Sequence, residues 1–233
     1  MDRPLYMDDS YRREFTATIT NVTDGRVELN TTAFYPTGGG VLGDTGHLIK
    51  DTMTIPVLSV HKEDGRILHE TGNADLDVGT QVQGVIDWER RYRLMRMHTA
   101  AHLISALFHT HGAKITGNAI ELERSRIDFS LESFDRALIE ARVDEANKLI
   151  EKGADVTVSY LKREEALKHT NLVKLAGAMP PEVDELRIVT IEGIDEQADG
   201  GCHVADIREI GTISFVKADN KGKGNRRVYW TIG

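Results

Sequence analysis

Trp88-Glu89-Arg90-Arg91-Tyr92-Arg93-Leu94-Met95-Arg96-Met97-His98-Thr99-Ala100-Ala101-His102-Leu103-Ile104-Ser105-Ala106-Leu107-Phe108-His109 is the stretch on which the fold reading turns. From Arg90 onward, Leu94, Met97, Ala101, Ile104, Leu107 and Phe108 recur at helical spacing, and His111-Gly112 is a stop signal. Upstream the period is two. Glu14 to Val22 alternates, with Phe15, Ala17 and Ile19 on one face, and Asp24-Gly25 turns it into Arg26 to Asn30. Ile55 to Lys62, Glu63-Asp64-Gly65 and Arg66 to His69 repeat that hairpin pattern, and Gln81 to Asp87 reads as a further strand. Short strands with Asp-Gly turns suggest a small β-barrel. Downstream, Ile120 to Phe129 reads as extended. A second helix starts at Ser133 or Asp135 and closes at Gly153. A strand spans Asp155 to Tyr160, and a third helix runs from Arg163 to Leu175, before Gly177 and Pro180-Pro181. Leu186 to Ile191, Ile213 to Val216 and Arg227 to Ile232 read as strands. The expected class is α+β: a small glycine-rich β-barrel domain over residues 1–88, then an α/β sandwich domain over 89–233.

Composition narrows the function classes. Apolar residues make up 40% of the 233 positions, which excludes a disordered chain. A single cysteine, Cys202, excludes an intrachain disulfide and points to a reducing, cytoplasmic setting. No apolar run approaches the ~20 residues of a membrane span, and the acidic N-terminus lacks a signal core. The formal charge of -8 argues against a general nucleic-acid coat but leaves room for a local basic face. Arg90, Arg91, Arg93 and Arg96 form one cluster; Lys217, Lys221, Lys223, Arg226 and Arg227 form another. Each is either solvated surface or an anion-binding face.

The chemistry sits in three places. His98 and His102 stand at i and i+4, the spacing at which two imidazoles of one helix bind one ion. With 9 histidines in the chain, chance supplies about 0.3 such pairs, so the pair alone decides nothing. Asp199-Gly200-Gly201-Cys202-His203 offers a third ligand in His203 and two further candidates in Asp199 and Cys202, on a backbone that glycine lets turn tightly. Adjacent Cys202 and His203 point apart if extended, which favours Asp199; water is the remaining option. Thr31 to Gly46, with Gly38-Gly39-Gly40, allows close backbone approach and exposes N–H donors, but no Gly-Lys-Ser/Thr follows to make a phosphate loop.

Taken together, Thr32-Ala33-Phe34-Tyr35 with Gly38-Gly39-Gly40 and Gly43-Asp44-Thr45-Gly46, then His98-Thr99-Ala100-Ala101-His102, Gly200-Gly201-Cys202-His203-Val204 with Glu209-Ile210-Gly211, and Gly224-Asn225-Arg226-Arg227-Val228-Tyr229 resemble the alanyl-tRNA editing proteins called AlaX, relatives of the editing domain of alanyl-tRNA synthetase. The likeness covers roughly residues 14–233, and the arrangement is similar to the medium-length class. The resemblance implies a free-standing, zinc-dependent hydrolase that deacylates tRNA(Ala) mischarged with serine, or with glycine. It implies His98, His102 and His203 as zinc ligands with Asp199, Cys202 or water as the fourth, Thr32 as the sensor of the serine hydroxyl, and Gly39 and Gly40 as amide donors to the reacting carbonyl. Lys223, Arg226 and Arg227 are the implied tRNA contacts. Two positions depart from the family pattern: Asp199 stands where Cys-x-x-x-His is usual, and Val41 stands where Gln is frequent. They keep open a tRNA-binding module with an inactive site. A hydrolase of another small ester is the third reading. Oligomeric state is not legible.

Overall fold

The ten residues of β1 (Glu14–Thr23) explain the shape of the first sheet. Their alternation buries Phe15, Ala17 and Ile19, and the strand changes partner half-way. Glu14 to Thr18 pair with β7 (Gln81–Ile86), and Ile19 to Thr23 pair with β2 (Arg26–Leu29), with an irregular register between Ile19 and Asn21. β3 (Gly46–Lys50) and β4 (Met53–Val57) extend the sheet past β7, while β5 (Ser59–Glu63) and β6 (Arg66–Glu70) extend it past β2. The order is β4-β3-β7-β1-β2-β6-β5, antiparallel throughout. The two edge strands are separated in sequence only by Leu58, so the sheet must curl until its ends meet at one corner. No ladder joins β4 to β5, so the sheet is open where the sequence suggests a closed barrel. Closure needs a shared register between the end strands, and one linking residue permits a corner without one.

The computed structural model describes residues 3–72, 75–131, 135–166, 168, 172, 183–222 and 224–233. They fall into two units, Met1–Leu94 and Met95–Gly233. A short helix α1 (Leu5–Asp8) opens the first. In that unit, Arg91 is buried and acts as a hub for the glycine-rich loop. Its Nε donates to Asp44 Oδ1 at 2.9 Å, its Nη2 to Asp44 Oδ2 and to the Ala33 carbonyl, and its Nη1 to the Ser10 carbonyl. Asp44 also accepts the Tyr35 N–H at 2.6 Å. Truncating one partner of such a buried pair costs about 3–5 kcal/mol, because the other charge is stranded.

Helix α2 (Trp88–His109) starts under the Asp87 side chain, which accepts the Arg90 N–H, and runs on into the second unit. In that unit β8 (Ile115–Ala119) and β9 (Ser125–Phe129) replace the single extended segment expected over 120–129. They join β13 (Ile213–Asn220) and β14 (Arg226–Ile232) in the order β13-β14-β9-β8. Helix α3 (Arg136–Lys152) is capped by Asp135, which accepts the Leu138 N–H; Ser133, the other cap candidate, lies outside the described residues. α3 buries Ile139, Val143, Ala146 and Ile150. β10 (Val156–Lys162), β11 (Glu185–Ile191) and β12 (Asp195–Ala198) form a separate antiparallel sheet. Of the expected third helix the structure describes α4 (Arg163–Ala166); Gly177 and Pro180-Pro181 lie outside the described residues. Among the described residues no helix is long and apolar enough to cross a membrane.

Inside the first unit, His69 is fully buried. Its Nδ1 stands 3.1 Å from the Val27 carbonyl and its Nε2 2.9 Å from Thr32 Oγ1. Burial pushes its pKa down to about 4, against the pull of the Val27 carbonyl. The folded state therefore keeps His69 neutral while the unfolded chain takes up a proton below about 6.5. Stability from this residue is present above that pH and is lost as pH falls towards 4, by at most about 3 kcal/mol. Urea titrations at pH 7 and pH 4.5 should show this loss, and His69→Gln, though weaker at pH 7, should lose about one proton's worth less on acidification. An identical acid slope in the variant would rule His69 out.

Candidate metal centre

α2 presents His98 and His102 one turn apart on one face. Their ring centroids are 5.0 Å apart, and the His203 ring lies 4.2 Å from the first and 4.5 Å from the second. Asp199 completes the group: ligand atoms from His98, His102, Asp199 and His203 all lie within 4.8 Å of one another. Asp199 Oδ2 is 3.6 Å from His98 Nε2 and 3.8 Å from His102 Nε2, and its Oδ1 is 3.1 Å from His203 Nε2. Four ligands on a tetrahedral zinc sit about 3.4 Å from one another, and the carboxylate-to-ring separations of 3.1–3.8 Å are of that order. Three imidazole nitrogens and a carboxylate oxygen also suit its chemistry.

The local chain explains the convergence. Asp199 and Arg187 are clasped backbone to backbone and side chain: the Asp199 N–H donates to the Arg187 carbonyl at 3.1 Å, and Arg187 Nη1 donates to the Asp199 carbonyl at 2.9 Å. The Gly201 N–H donates to Asp199 Oδ1 at 2.6 Å, which aims the carboxylate inward. A Cβ on Gly201 would lie 2.4 Å from His98 Cε1 and 2.7 Å from its Nδ1, so only glycine lets the chain pass that ring. Cys202 is a buried free thiol outside the group, as expected for a side chain adjacent to an inward-facing histidine. The structure thus brings together His98, His102, His203 and Asp199, and leaves out Cys202.

Electrostatics within the group is uneven. Burial pushes His98 down to about 4, despite the Asp199 charge. Burial, with the neighbouring rings, also holds His203 well below the usual histidine range. For His102 burial works the same way, but hydrogen bonds to Asp195 and Asp199 prevail and raise it to about 9. Burial opposes ionisation of Asp199, yet the imidazoles around it keep its carboxyl well below the usual range. A carboxylate held ionised beside three imidazole nitrogens is a donor set that could hold a metal ion.

Residues behind the ligands set the tautomers, and the sequence reading missed their part. Thr99 Oγ1 donates to the Met95 carbonyl at 3.0 Å and accepts the Val204 N–H at 3.3 Å. With its proton so placed, it accepts from His203 Nδ1 at 3.1 Å, leaving Nε2 bare and facing Asp199. Asp195 and Gln197 sit behind His102, on the buried side of β12. Their signal was present as Asp195, Gln197 and Asp199 at i, i+2 and i+4, one face of an extended chain.

The other candidates have partners of their own. Thr32, Gly39 and Gly40 belong to the first unit. Thr32 is buried; since a carbonyl only accepts, the His69 ring proton is on Nδ1, so the Thr32 hydroxyl donates to Nε2 and accepts the Phe34 N–H at 3.1 Å. Gly39 and Gly40, at φ +60° and +81°, form the corner of a two-residue turn closed by Gly38 and Val41 through reciprocal backbone bonds. Val41 is buried there, which accounts for an apolar residue at that position. The Arg90 cluster belongs to the scaffold: Arg90 Nε donates to the Gly43 carbonyl, and Arg96 Nε donates to the Ile210 carbonyl. Arg227 makes a two-pronged pair with Asp128 at 2.7 and 2.8 Å, and Arg226 is buried and donates to Asn220, Gly222 and Asn225 of its own hairpin turn. Lys223 lies outside the described residues. Asp44 is paired with Arg91, and Glu209 closes a capping box with Asp206.

Comparison with known proteins gives a consistent picture. Residues 7–90 match the family described as tRNA synthetases class II (A), and residues 186–229 match the threonyl and alanyl tRNA synthetase second additional domain. Alanyl-tRNA editing protein AlaX-M of Saccharolobus solfataricus is 47% identical over 100% of this chain and 99% of its own length. The AlaX-M protein of Methanosarcina barkeri is 44% identical over the same shares. The alanine--tRNA ligase of Thermoplasma acidophilum is 32% identical over 99% of this chain, which spans 27% of that enzyme.

Gly201→Ala should weaken metal uptake at least about 10-fold while leaving the far-ultraviolet circular dichroism intact, since the new methyl displaces His98. Cys202→Ser, treated alongside it, should load metal like the parent. Metal content after dialysis checks both, and a full complement in Gly201→Ala would break the account of this glycine.

Proposed function

Since the chain belongs to the alanyl-tRNA editing proteins of the AlaX-M family, we propose that it hydrolyses the ester between a wrongly attached amino acid and tRNA(Ala), with serine as the principal residue removed, glycine as a second, and zinc as its resident ion. The observation that carries the reading is the convergence of three buried histidines, His98, His102 and His203, and the half-buried Asp199 on one point. Bound zinc would supply Lewis acidity towards the ester carbonyl or the attacking water. The protein's own part is to hold three Nε2 lone pairs and one carboxylate towards one point, with the three imidazoles buried and the half-buried carboxylate at the side open to solvent. A synthetase pocket shaped for alanine rejects a residue with one extra hydroxyl only weakly, which is the need such an activity meets.

Thr32 is the selectivity residue in this proposal. Its proton is held by His69, so its oxygen keeps one lone pair to accept the hydroxyl of a serine, and alanine has no donor to offer it. The tRNA contact falls to the basic β13–β14 hairpin, in which Arg226 fixes the turn and Lys217 and Lys221 stand exposed.

Purified protein incubated with Ser-tRNA(Ala), Gly-tRNA(Ala) and Ala-tRNA(Ala) should release serine fastest and alanine slowest. His102→Ala should lose both zinc and at least about 100-fold in rate. Salt-sensitive binding without hydrolysis would replace this reading with that of a tRNA-binding module. Thr32→Val should narrow the serine-over-alanine ratio by about 10-fold or more, through a fall in the serine rate alone. An unchanged ratio removes Thr32 from that role.

A further inference from the structure

Behind the metal group sits a carboxylate that none of the ligand assignments uses. The Asp195 side chain is wholly buried, and its Oδ2 stands 3.2 Å from His102 Nδ1, the ring nitrogen that faces away from Asp199. Gln197 Nε2 lies 3.2 Å from the same Asp195 oxygen and 2.5 Å from His102 Nδ1. We propose that Asp195 is the positioning residue of this centre: it accepts the Nδ1 proton of His102 and so fixes the tautomer and ring angle that leave Nε2 bare for the ion.

A neutral imidazole carries one proton and one lone pair, and a ring that binds through Nε2 must keep its proton on Nδ1. Gln197 alone would not secure that, because its amide can donate to Nδ1 as well as accept from it. A carboxylate only accepts, so Asp195 makes the choice. With the proton on Nδ1, the Gln197 amide beside that nitrogen can present only its oxygen to it, so Gln197 and Asp195 both accept from His102. Geometry delivers all of this from one short strand. Asp195 and Gln197 share the buried face of β12, and Asp199 follows two residues on, so one strand carries the support and the ligand that meet His102 from its two sides. Thr99 serves His203 in the same sense, but as a neutral hydroxyl. Of these two supports Asp195 has the charge, which raises the basicity of the ring it holds and tightens its grip on a cation.

The inference rests on the metal-dependent reading above, and its test separates the two. Zinc affinity is measured by competition with a chromogenic chelator for the full-length protein, for His98→Ala and for Asp195→Asn. Asp195→Asn keeps the shape but puts an amide donor within reach of Nδ1, and we expect about 10- to 100-fold weaker zinc binding with unchanged circular dichroism of the metal-free protein. Parent-like affinity in Asp195→Asn, with a clear loss in His98→Ala, overturns the role of Asp195 and leaves the centre standing. Equal, negligible affinity in all three proteins overturns the centre itself. Should Asp195→Asn not fold, nitrogen-15 spectra of histidine-labelled parent protein loaded with zinc decide the matter. A proton on His102 Nδ1, slow to exchange, supports the assignment, and a proton on Nε2 refutes it.

Discussion

A half-buried carboxylate set against three buried imidazoles is tenable only if something compensates its charge, and the second unit is built around that constraint. Asp199 accepts the Gly201 N–H and is clasped to Arg187 through its backbone, and the remaining faces of the carboxylate look at His98, His102 and His203. Without a cation the burden falls on protons, which is why His102 is pushed up to about 9 while His98 and His203 are pushed down by burial. A divalent ion relieves the whole arrangement at once. Two periodicities have to agree for this. The helix contributes ligands every four residues, the strand and its continuation contribute polar groups every two, and Gly201 removes the one side chain that would hold them apart.

The first unit solves a different problem with the opposite charge. Its glycine-rich loop has little side-chain bulk to define it, and Arg91 supplies the definition by binding Asp44, Ala33 and Ser10 together. His69 does the same on a smaller scale for Thr32. Arg91 thus fixes the backbone of the loop, and His69 fixes the Thr32 side chain. The glycine triplet, read alone, suggests a cradle of N–H groups; as folded it is a tight turn whose Gly38 amide is bonded to Val41.

How much of this was legible depended on whether the decisive partner was near in sequence. The helix from Trp88, the His98–His102 pair and the Asp24-Gly25 and Asp64-Gly65 turns are local patterns, and they were readable. The choice of Asp199 over Cys202 followed from the alternation of adjacent side chains. Asp195 and Gln197 were missed because a four-residue strand leaves too little periodicity to see and because their meaning depends on a ring more than ninety residues upstream. The arginine clusters show the same limit. Their charge is visible in the sequence, but Asp128, 99 residues from Arg227, and Asp44, 47 residues from Arg91, are what turn them into scaffold. A closed barrel was suggested by strand lengths and turns, while the open edge depends on a register that no local pattern encodes.

Cys202, one residue away from His203 and yet outside the ligand group, has a consequence for how such a centre ages. Thiolate ligands are the atoms peroxide attacks first, climbing through sulfenic to irreversible acids and releasing their ion on the way. Nitrogen and carboxylate oxygen have no such ladder. An ion held by such a set would have no thiolate for peroxide to attack, and its weak points would be acid and competing chelators.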